Sequence, residues 1–143
     1  MSEPPALHSS RTLSLRFDIP ISKTREFWDA LKEGRFITTK CAKCGEVSFP
    51  PQADCPSCMS SEHSWVELGS EATLVTFTQV RIPPASFASQ SPYLIAIAEF
   101  PLGPKVLAWL EGVGPEEAKP GMKLKIQARA AGAGNPYYVF VRG

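Results

Sequence analysis

The sequence predicts a mainly β protein with one N-terminal helix, a cysteine ribbon and a small β-barrel, in that order. The four cysteines form two Cys-x2-Cys pairs separated by ten residues: Cys41, Cys44, Cys55 and Cys58. From Gly69 onward, five short apolar runs alternate with turn residues, which is typical of an OB-fold barrel. We therefore expect three parts: a flexible N-terminal arm over residues 1–21, a helix with the ribbon over 22–68, and an OB-fold over 69–143.

Composition and charge describe an ordinary globular chain and argue against two classes of partner. The 143 residues are 43% hydrophobic and 20% charged, with a net charge of +1, whereas nucleic-acid-binding domains usually carry a clear basic excess. No apolar run approaches the ~20 residues that span a bilayer. Glu3, Pro4 and Pro5 interrupt the region where a signal peptide would be apolar. We expect a cytoplasmic protein that binds neither a membrane nor, as its main partner, nucleic acid.

The first predicted element is a helix over residues 22–33. Ser22 is a suitable N-cap and Gly34 a suitable C′ residue, since a short oxygen-bearing side chain and a glycine are favoured at these positions. One face of this helix is apolar, made of Phe27, Ala30, Leu31 and the flanking Trp28. Two interpretations are open: the face packs on the rest of the chain, or its aromatic residues dock onto another subunit.

The ribbon follows, with strands expected at 36–41, 47–49 and 65–68 and with Pro50-Pro51 as an extended exit. Four thiolates from one compact segment suit Zn²⁺ or a single iron ion and leave no coordination position for water or substrate. We therefore expect a structural metal, with all four cysteines as its ligands. Two disulfides are the alternative, which the lack of an apolar secretory region disfavours.

Five strands are expected in the barrel, at 72–82, 93–100, 105–113, 122–130 and 137–142, with at most one helical turn at 114–119. Apolar and charged residues alternate in the fourth strand, so one of its faces is predicted to be core and the other solvated. The second strand is apolar on both faces between Leu94 and Ala98. It is therefore predicted to be covered on both sides, by the barrel core and by the helix, the ribbon or a partner.

Residues that could perform catalysis are few. The two histidines, His8 and His63, have no serine or cysteine nucleophile in a recognisable setting, and the cysteines are committed to the metal. The Glu116-Glu117 pair is interpreted as part of a solvated turn. Gly132-Ala133-Gly134 is interpreted as a hairpin turn rather than a phosphate-binding loop, because no helix follows it. We expect a chain that is not catalytic on its own.

Aromatic side chains supply the remaining indication of a binding role. They lie in the barrel half of the sequence: Phe87, Tyr93, Trp109, Tyr137 and Tyr138. OB-folds that bind single-stranded nucleic acid stack bases on such residues, although core packing explains most aromatic residues without a ligand. The loop from Pro83 to Pro92, with Phe87 at its centre, is predicted to be a mobile or interface segment.

The motifs also follow a recognisable order along the chain. They are Phe27-Trp28, Glu33-Gly34-Arg35-Phe36, Cys41-Ala-Lys-Cys44-Gly45, Phe49-Pro50-Pro51, Cys55-Pro56-Ser-Cys58, Trp65-Val-Glu-Leu68, Pro83-Pro84 and Gly121-Met122. This order resembles a widespread prokaryotic family in which a rubredoxin-like zinc ribbon is joined to an OB-fold, and the resemblance runs from about residue 22 to residue 142. One departure is Met59, where many members have glycine. It is expected to alter the turn of the second cysteine pair but not the ligands.

The resemblance implies an accessory role. Members of this family are described as acyl-CoA-associated proteins that work beside thiolases, HMG-CoA synthase or related aldolases. We therefore expect a hetero-oligomer with such an enzyme and a coenzyme A thioester as a shared ligand. The residues assigned to the CoA or partner interface are Phe27, Trp28, Phe49, Pro50, Pro51 and Phe87. The alternative function is an OB-fold module that binds single-stranded nucleic acid.

Overall fold

The computed structural model describes Leu7, residues 15–130 and residues 134–143. Most of the predicted arm over 1–21, together with His8 and the Gly132-Ala133 part of the predicted hairpin, lies outside the described residues. The elements follow in chain order: α1 Arg25–Lys32, β1 Ile37–Cys41, β2 Val47–Ser48, β3 His63–Glu67, β4 Glu71–Val80, a 3₁₀ helix Ala85–Gln90, β5 Tyr93–Glu99, β6 Lys105–Leu110, β7 Lys123–Ala130 and β8 Pro136–Arg142. The predicted mainly β class, with a helix, a ribbon and a five-stranded barrel, is confirmed. None of the described helices is long and apolar enough to cross a membrane.

Helix α1 is shorter than the sequence predicts, because the first turn of the predicted segment is not α-helical. Thr24, rather than Ser22, is the N-cap residue, and it makes no side-chain capping bond. The other end agrees with the prediction. Gly34 has a φ of 78°, and the Arg35 N–H donates to the Ala30 carbonyl at 2.9 Å, as in a Schellman motif. The helix therefore ends where glycine lets the chain turn towards β1.

The apolar face of α1 packs within the chain. Phe27 and Leu31 are buried, and the helix contacts β1, β7 and β8. Trp28, at the border of this face, is half-buried. The first of the two interpretations of the helix therefore holds for its centre, whereas Trp28 keeps surface that is available to another molecule.

The ribbon is a three-stranded antiparallel sheet in the order β2-β1-β3. Strand β3 begins at His63, two residues before the predicted start, because His63 pairs in register with Cys41 at the end of the central strand. The predicted second strand is shortened to two residues. The four cysteines thus lie at the ends and turns of a small sheet whose central strand leads directly into the first pair.

Two buried threonines of β1 hold the segment that leaves β2. The Thr38 hydroxyl donates to the Ser48 carbonyl, and the Gln52 N–H donates to Thr39 Oγ1 at 2.9 Å. Burying a hydroxyl is favourable only when it is hydrogen-bonded. These two bonds therefore fix the Pro50-Pro51 exit against the ribbon. The chain bends there at Phe49 and Pro50, across a cis peptide bond, rather than continuing as the extended segment that the sequence predicts.

The second half of the chain closes into a barrel with the strand order β4-β5-β6-β8-β7. All neighbouring pairs are antiparallel except β6 with β8. The alternation predicted for the fourth barrel strand is found in β7, where Leu124 and Ile126 are buried and Lys123 and Lys125 are exposed. Strand β6 ends at Leu110, before the predicted end, because the chain turns at Gly112 with a φ of 70°.

Strand β5 differs from the prediction on its outer face. Its inward residues are buried in the barrel, but Ile95 and Ile97 on the opposite face are only half-buried. Their neighbours on β6 are Trp109 and Leu107, and Leu107 is 59% exposed. Within the described residues, neither the helix nor the ribbon covers this outer face fully, and an apolar strip remains at the surface. Cover by a partner, the other predicted alternative, stays a prediction.

Candidate metal centre and aromatic groove

The two cysteine pairs lie on turns with the same local hydrogen bonding. In the first turn, the Gly45 N–H donates to the Cys41 carbonyl at 3.0 Å. In the second, the Met59 N–H donates to the Cys55 carbonyl at 2.9 Å. The ribbon therefore presents both pairs in the same way, although their sequences differ.

The second turn corrects the expectation for Met59. Met59 has a φ of 62°, close to the 79° of Gly45 at the matching position of the first turn. It is the one non-glycine residue with positive φ in the part of the chain that the structure describes. This left-handed conformation costs a residue with a Cβ roughly 1–2 kcal/mol. The expected change of turn is therefore wrong: the methionine keeps the geometry of the glycine turn at a cost in strain.

The four sulfur atoms converge on one point. All Sγ atoms lie within 4.8 Å of one another, with 3.5 Å between Cys41 and Cys58 and between Cys44 and Cys55. A tetrahedral site with metal–sulfur bonds of about 2.3 Å has sulfur–sulfur edges of about 3.8 Å, so this donor set fits a tetrahedral ion. All four cysteines are free thiols, so the two-disulfide alternative is not found.

The thiols influence one another strongly. The N–H groups of Cys44 and Lys43 donate to Cys41 Sγ at 3.5 and 3.4 Å, and these bonds outweigh burial and lower the pKa of Cys41 to about 6. For Cys44 a backbone bond from Glu46 lowers the pKa, but the neighbouring thiols and burial outweigh it and raise the pKa to about 12. Thiols this close do not all ionise together unless a cation neutralises them. The arrangement is therefore suited to a metal ion that holds four thiolates at once.

A four-thiolate shell is closed to water and substrate, so this site can hold the ribbon in shape but offers no position for chemistry. His63 lies at the start of β3, in register with Cys41. Its ring packs edge-on against Trp65, with 5.9 Å between the ring centroids, and its buried Nδ1 has no hydrogen-bond partner. Within residues 15–130 and 134–143, we find no histidine hydrogen-bonded to a serine or cysteine nucleophile.

Three aromatic rings connect the helix, the ribbon and the barrel. Phe27 of α1 packs edge-to-face on Phe49, which follows β2, with 5.7 Å between centroids, and Phe49 packs in the same way on Tyr138 of β8, at 5.6 Å. Phe27 is 2% exposed, and burial raises the pKa of Tyr138. We call these three residues the aromatic bridge. They set the position of the barrel relative to the ribbon.

A groove of about 1130 Å³ opens on the barrel beside the aromatic bridge. It lies where β6 and β8 diverge, since these strands pair only at Trp109 with Val139 and at Leu110 with Phe140. We call it the β6–β8 groove. Its aromatic lining residues are Trp28, Phe87, Tyr93, Trp109, Tyr137 and Tyr138. The barrel aromatics singled out in the sequence are thus brought to one surface, together with a tryptophan from the helix.

One end of the groove is an aromatic cluster. Tyr93 and Trp109 stack with 4.2 Å between centroids and 13° between their planes, and Phe87 packs edge-on to Trp109 at 5.6 Å. Phe87 comes from the 3₁₀ helix Ala85–Gln90, which the sequence does not predict because six residues of 3₁₀ helix carry no apolar period. The segment predicted to be a mobile or interface loop is therefore a short helix whose phenylalanine forms a wall of the groove.

The β6–β8 groove is poor in charge. Glu111 is its one charged lining residue, and it is paired with Arg129 at 3.4 Å. The two lysines on the exposed face of β7, Lys123 and Lys125, do not line the groove. Lys123 instead donates to the Thr73 hydroxyl at 3.0 Å. A groove without a cation in its lining is suited to neutral or apolar groups rather than to a chain of phosphates.

The six residues predicted for the CoA or partner interface fall into two groups. Phe27 and Pro51 are buried, and Phe49 and Pro50 lie beside them at the ribbon exit. Trp28 and Phe87 line the β6–β8 groove and keep exposed surface. The assignment of these six residues to CoA or to a partner stays a prediction, and Trp28 and Phe87 are the two with surface in the groove.

Fold and site together define a class of protein: a metal-binding cysteine ribbon fastened to an OB-fold barrel. Two family models match the chain, the rubredoxin-like zinc ribbon domain of ChsH2 over residues 28–64 and the C-terminal OB-fold domain of ChsH2 over residues 65–129. The chain therefore belongs to this ChsH2 family, and the resemblance predicted from its motifs is confirmed.

Individual relatives agree with this membership. A DUF35 domain-containing scaffold protein from Pyrococcus furiosus is 36% identical over 104 residues, which cover 72% of this chain and 76% of the relative. The benzoylsuccinyl-CoA thiolase subunit BbsA from Thauera aromatica is 33% identical over 73 residues, which cover 51% of this chain and 49% of the relative. Among solved structures, an Ltp2-ChsH2(DUF35) aldolase matches with a TM-score of 0.75 and 25% identity, over 89% of this chain and 98% of that chain.

Proposed function

We propose that this chain is a non-catalytic accessory subunit of a thiolase-like acyl-CoA-processing complex, in which it helps to assemble the complex and to hold the CoA thioester. The observation that carries the proposal is the aromatic, charge-poor β6–β8 groove on a chain whose cysteines all converge on one site. Such a chain offers a surface for binding but no nucleophile in its described residues. The reacting groups then belong to the partner.

The names of two relatives support the class of partner. One relative is a subunit of a thiolase, and one solved structure is that of an aldolase complex. From these we infer that the partner is a thiolase-like or related acyl-CoA enzyme, bound in a cytoplasmic hetero-oligomer. The scaffold protein from Pyrococcus furiosus supports a role in assembly.

Zn²⁺ is the metal that we propose for the four-cysteine site. Structural ribbons hold Zn²⁺ tetrahedrally by four thiolates, although iron accepts the same shell. Bound there, the ion contributes folding free energy, since the ligands come together only in the folded ribbon. Elemental analysis of the purified protein distinguishes the two metals, and a visible absorption band would indicate iron.

For the CoA thioester we propose a site shared with the partner, with Trp28 and Phe87 as the contacts from this chain. The charge-poor lining between them suits the uncharged pantetheine and acyl parts of the ligand better than its phosphates. Phe27, Phe49, Pro50 and Pro51 act on this site by positioning Trp28 and the barrel, since Phe27 packs against both Trp28 and Phe49.

The alternative, a single-stranded nucleic-acid-binding module, is favoured by the same aromatic residues. Base stacking on an OB-fold is usually accompanied by a positively charged groove that follows the backbone. The lining of the β6–β8 groove contains no lysine or arginine, and the net charge of the chain is only +1. These observations support the accessory subunit over the nucleic-acid module.

The test is co-expression with a thiolase-like enzyme from the same source, followed by size-exclusion chromatography and an assay of thiolytic activity. We expect a complex with higher activity than the enzyme alone. Phe87→Ser is expected to weaken the complex and to lower its activity. Leu102→Ser is the matched control, because Leu102 is a similarly exposed apolar residue in the turn after β5, and it is expected to change neither. A chain that elutes alone at every loading and adds no activity contradicts the proposal.

A further inference from the structure

The segment before α1 carries an unpartnered apolar face. In residues 15–21, apolar residues alternate with Arg16, Asp18 and Pro20, which is the period of a strand with one buried face. Leu15, Phe17 and Ile19 are 65 to 77% exposed. Residues 15–20 make no backbone hydrogen bond to another described residue. This segment therefore has the pattern of a half-buried strand, and no sheet or core among the described residues buries it.

The β6–β8 groove contains a strand edge with no partner strand among the described residues, which such a segment could pair with. Along β6 only Trp109 and Leu110 pair with β8, so on that side the stretch 105–108 has no strand partner among the described residues. Leu107, at 59% exposure, stands at this open edge. A groove whose lining contains both unpaired strand backbone and aromatic side chains accepts an extended peptide, because main-chain bonds and alternate side chains are both satisfied there.

The low charge of the groove and the position of residues 15–21 in the chain both favour this segment as the peptide that the groove binds. The one charged lining residue, Glu111, is already paired with Arg129, so the groove favours an apolar strand over an acidic or basic one. Trp28 of α1 lines the groove, and residues 15–21 join α1 through a turn of three residues. Yet none of residues 15–21 lines the groove of its own chain. The segment is thus joined by a short turn to a helix that lines the groove, yet it does not fill the groove of its own chain.

We propose that two copies of the free chain exchange these segments, with residues 15–21 of each copy lying as an added strand in the β6–β8 groove of the other. Reciprocal exchange is closed and symmetric, as in most homodimers. Each segment offers four apolar side chains, three of them 65 to 77% exposed, and the phenylalanine alone buries about 150–250 Å². Counted over the two segments and the two grooves that cover them, the buried area is of the order of the roughly 1,200 Å² of a specific interface. The proposal concerns the free chain and does not rest on the proposed function. A CoA thioester or a partner in the same groove would separate the two copies.

Sedimentation velocity of the full chain tests the proposal directly. We expect a dimer whose Kd rises by about tenfold or more in Phe17→Ser/Ile19→Ser, since a buried aromatic anchor is removed. Arg16→Ala/Asp18→Ala changes the other face of the same segment and is expected to leave the Kd unchanged. Leu107→Ser, in the groove, is expected to weaken the dimer as the first variant does. Circular dichroism and metal content verify that each variant is folded.

A synthetic peptide of residues 14–22 provides a second readout. Added to the full-length Phe17→Ser/Ile19→Ser variant, it is expected to change the tryptophan fluorescence saturably, and Trp109→Phe in that variant should reduce the signal. A full chain that is monomeric at every concentration overturns the proposal, as does an apolar-face variant that dimerises like the natural sequence. Binding of the peptide to a chain that stays monomeric when complete also overturns it, because the segment then covers its own groove.

Discussion

The aromatic bridge makes a quantitative prediction about how ribbon and barrel are coupled. Phe27 is buried to 2% exposure and packs edge-to-face against Trp28 at 5.1 Å and against Phe49 at 5.7 Å. Phe27→Ala leaves a cavity in this contact and is expected to lower the free energy of unfolding by about 3–5 kcal/mol. Phe27→Leu keeps most of the volume but removes both ring pairs. At about 0.5–1.5 kcal/mol for each pair, it should lower the free energy of unfolding by about 1–3 kcal/mol.

Urea unfolding followed by far-UV circular dichroism measures both values on the metal-loaded protein. Ile82→Ala is the control, because Ile82 is 94% exposed and its loss should change the free energy of unfolding by less than about 0.5 kcal/mol. A double-mutant cycle between Phe27→Leu and Phe49→Leu then isolates the pair itself, with an expected coupling of about 0.5–1.5 kcal/mol. If Phe27→Ala lowers the free energy of unfolding by less than about 1 kcal/mol, or if the cycle shows no coupling, the aromatic bridge does not stabilise the packing of the ribbon against the barrel.

Three further predictions concern the metal site and the groove. Cys44→Ser is expected to release the metal and unfold the ribbon, because three thiolates no longer close the tetrahedron; full metal content with an unchanged melting temperature would contradict this. Met59→Gly is expected to stabilise the metal-loaded protein by about 0.5–1 kcal/mol, because the left-handed strain that it relieves exceeds the extra backbone entropy that glycine loses on folding. Thermal melts measure this, and a lower melting temperature in the variant would show that the strain is absent. A labelled single-stranded oligonucleotide is expected to show no binding in fluorescence anisotropy at low salt, and steeply salt-dependent binding would instead favour the nucleic-acid module.

Much of this architecture could be predicted from sequence because its determinants are local. The convergence of four thiols follows from the spacing of Cys41, Cys44, Cys55 and Cys58. The solvated face of β7 follows from the alternation of Lys123, Leu124, Lys125 and Ile126. The sequence also predicts the end of α1, because Gly34 is the residue type that a left-handed C′ position favours. In each case, neighbours in sequence decide the outcome.

The groove could not be predicted in this way, because it depends on distant residues. Trp28, Phe87, Trp109 and Tyr138 belong to four different elements, and they meet only because β8 joins β6 over two residue pairs and then diverges. The outer face of β5 shows the same limit. Its apolar pattern predicts a cover, but the pattern does not say whether that cover lies in the same chain or in a partner. The start of α1 was misplaced for a different reason, as Ser22 and Thr24 are chemically equivalent caps.

The metal site and the groove are connected through the chain between them. A metal ion at the four sulfurs fixes the two cysteine turns and hence the end of β1, and β1 holds the Pro50-Pro51 exit through Thr38 and Thr39. That exit places Phe49 against Phe27 and Tyr138, and Tyr138 and the adjacent Trp28 form a wall of the groove. Under the proposed function, a closed metal site would therefore act on binding through the packing that it fixes. Loss of the metal should loosen the groove at Trp28 and Tyr138, whereas the cluster of Phe87, Tyr93 and Trp109 is held within the barrel and should keep its packing.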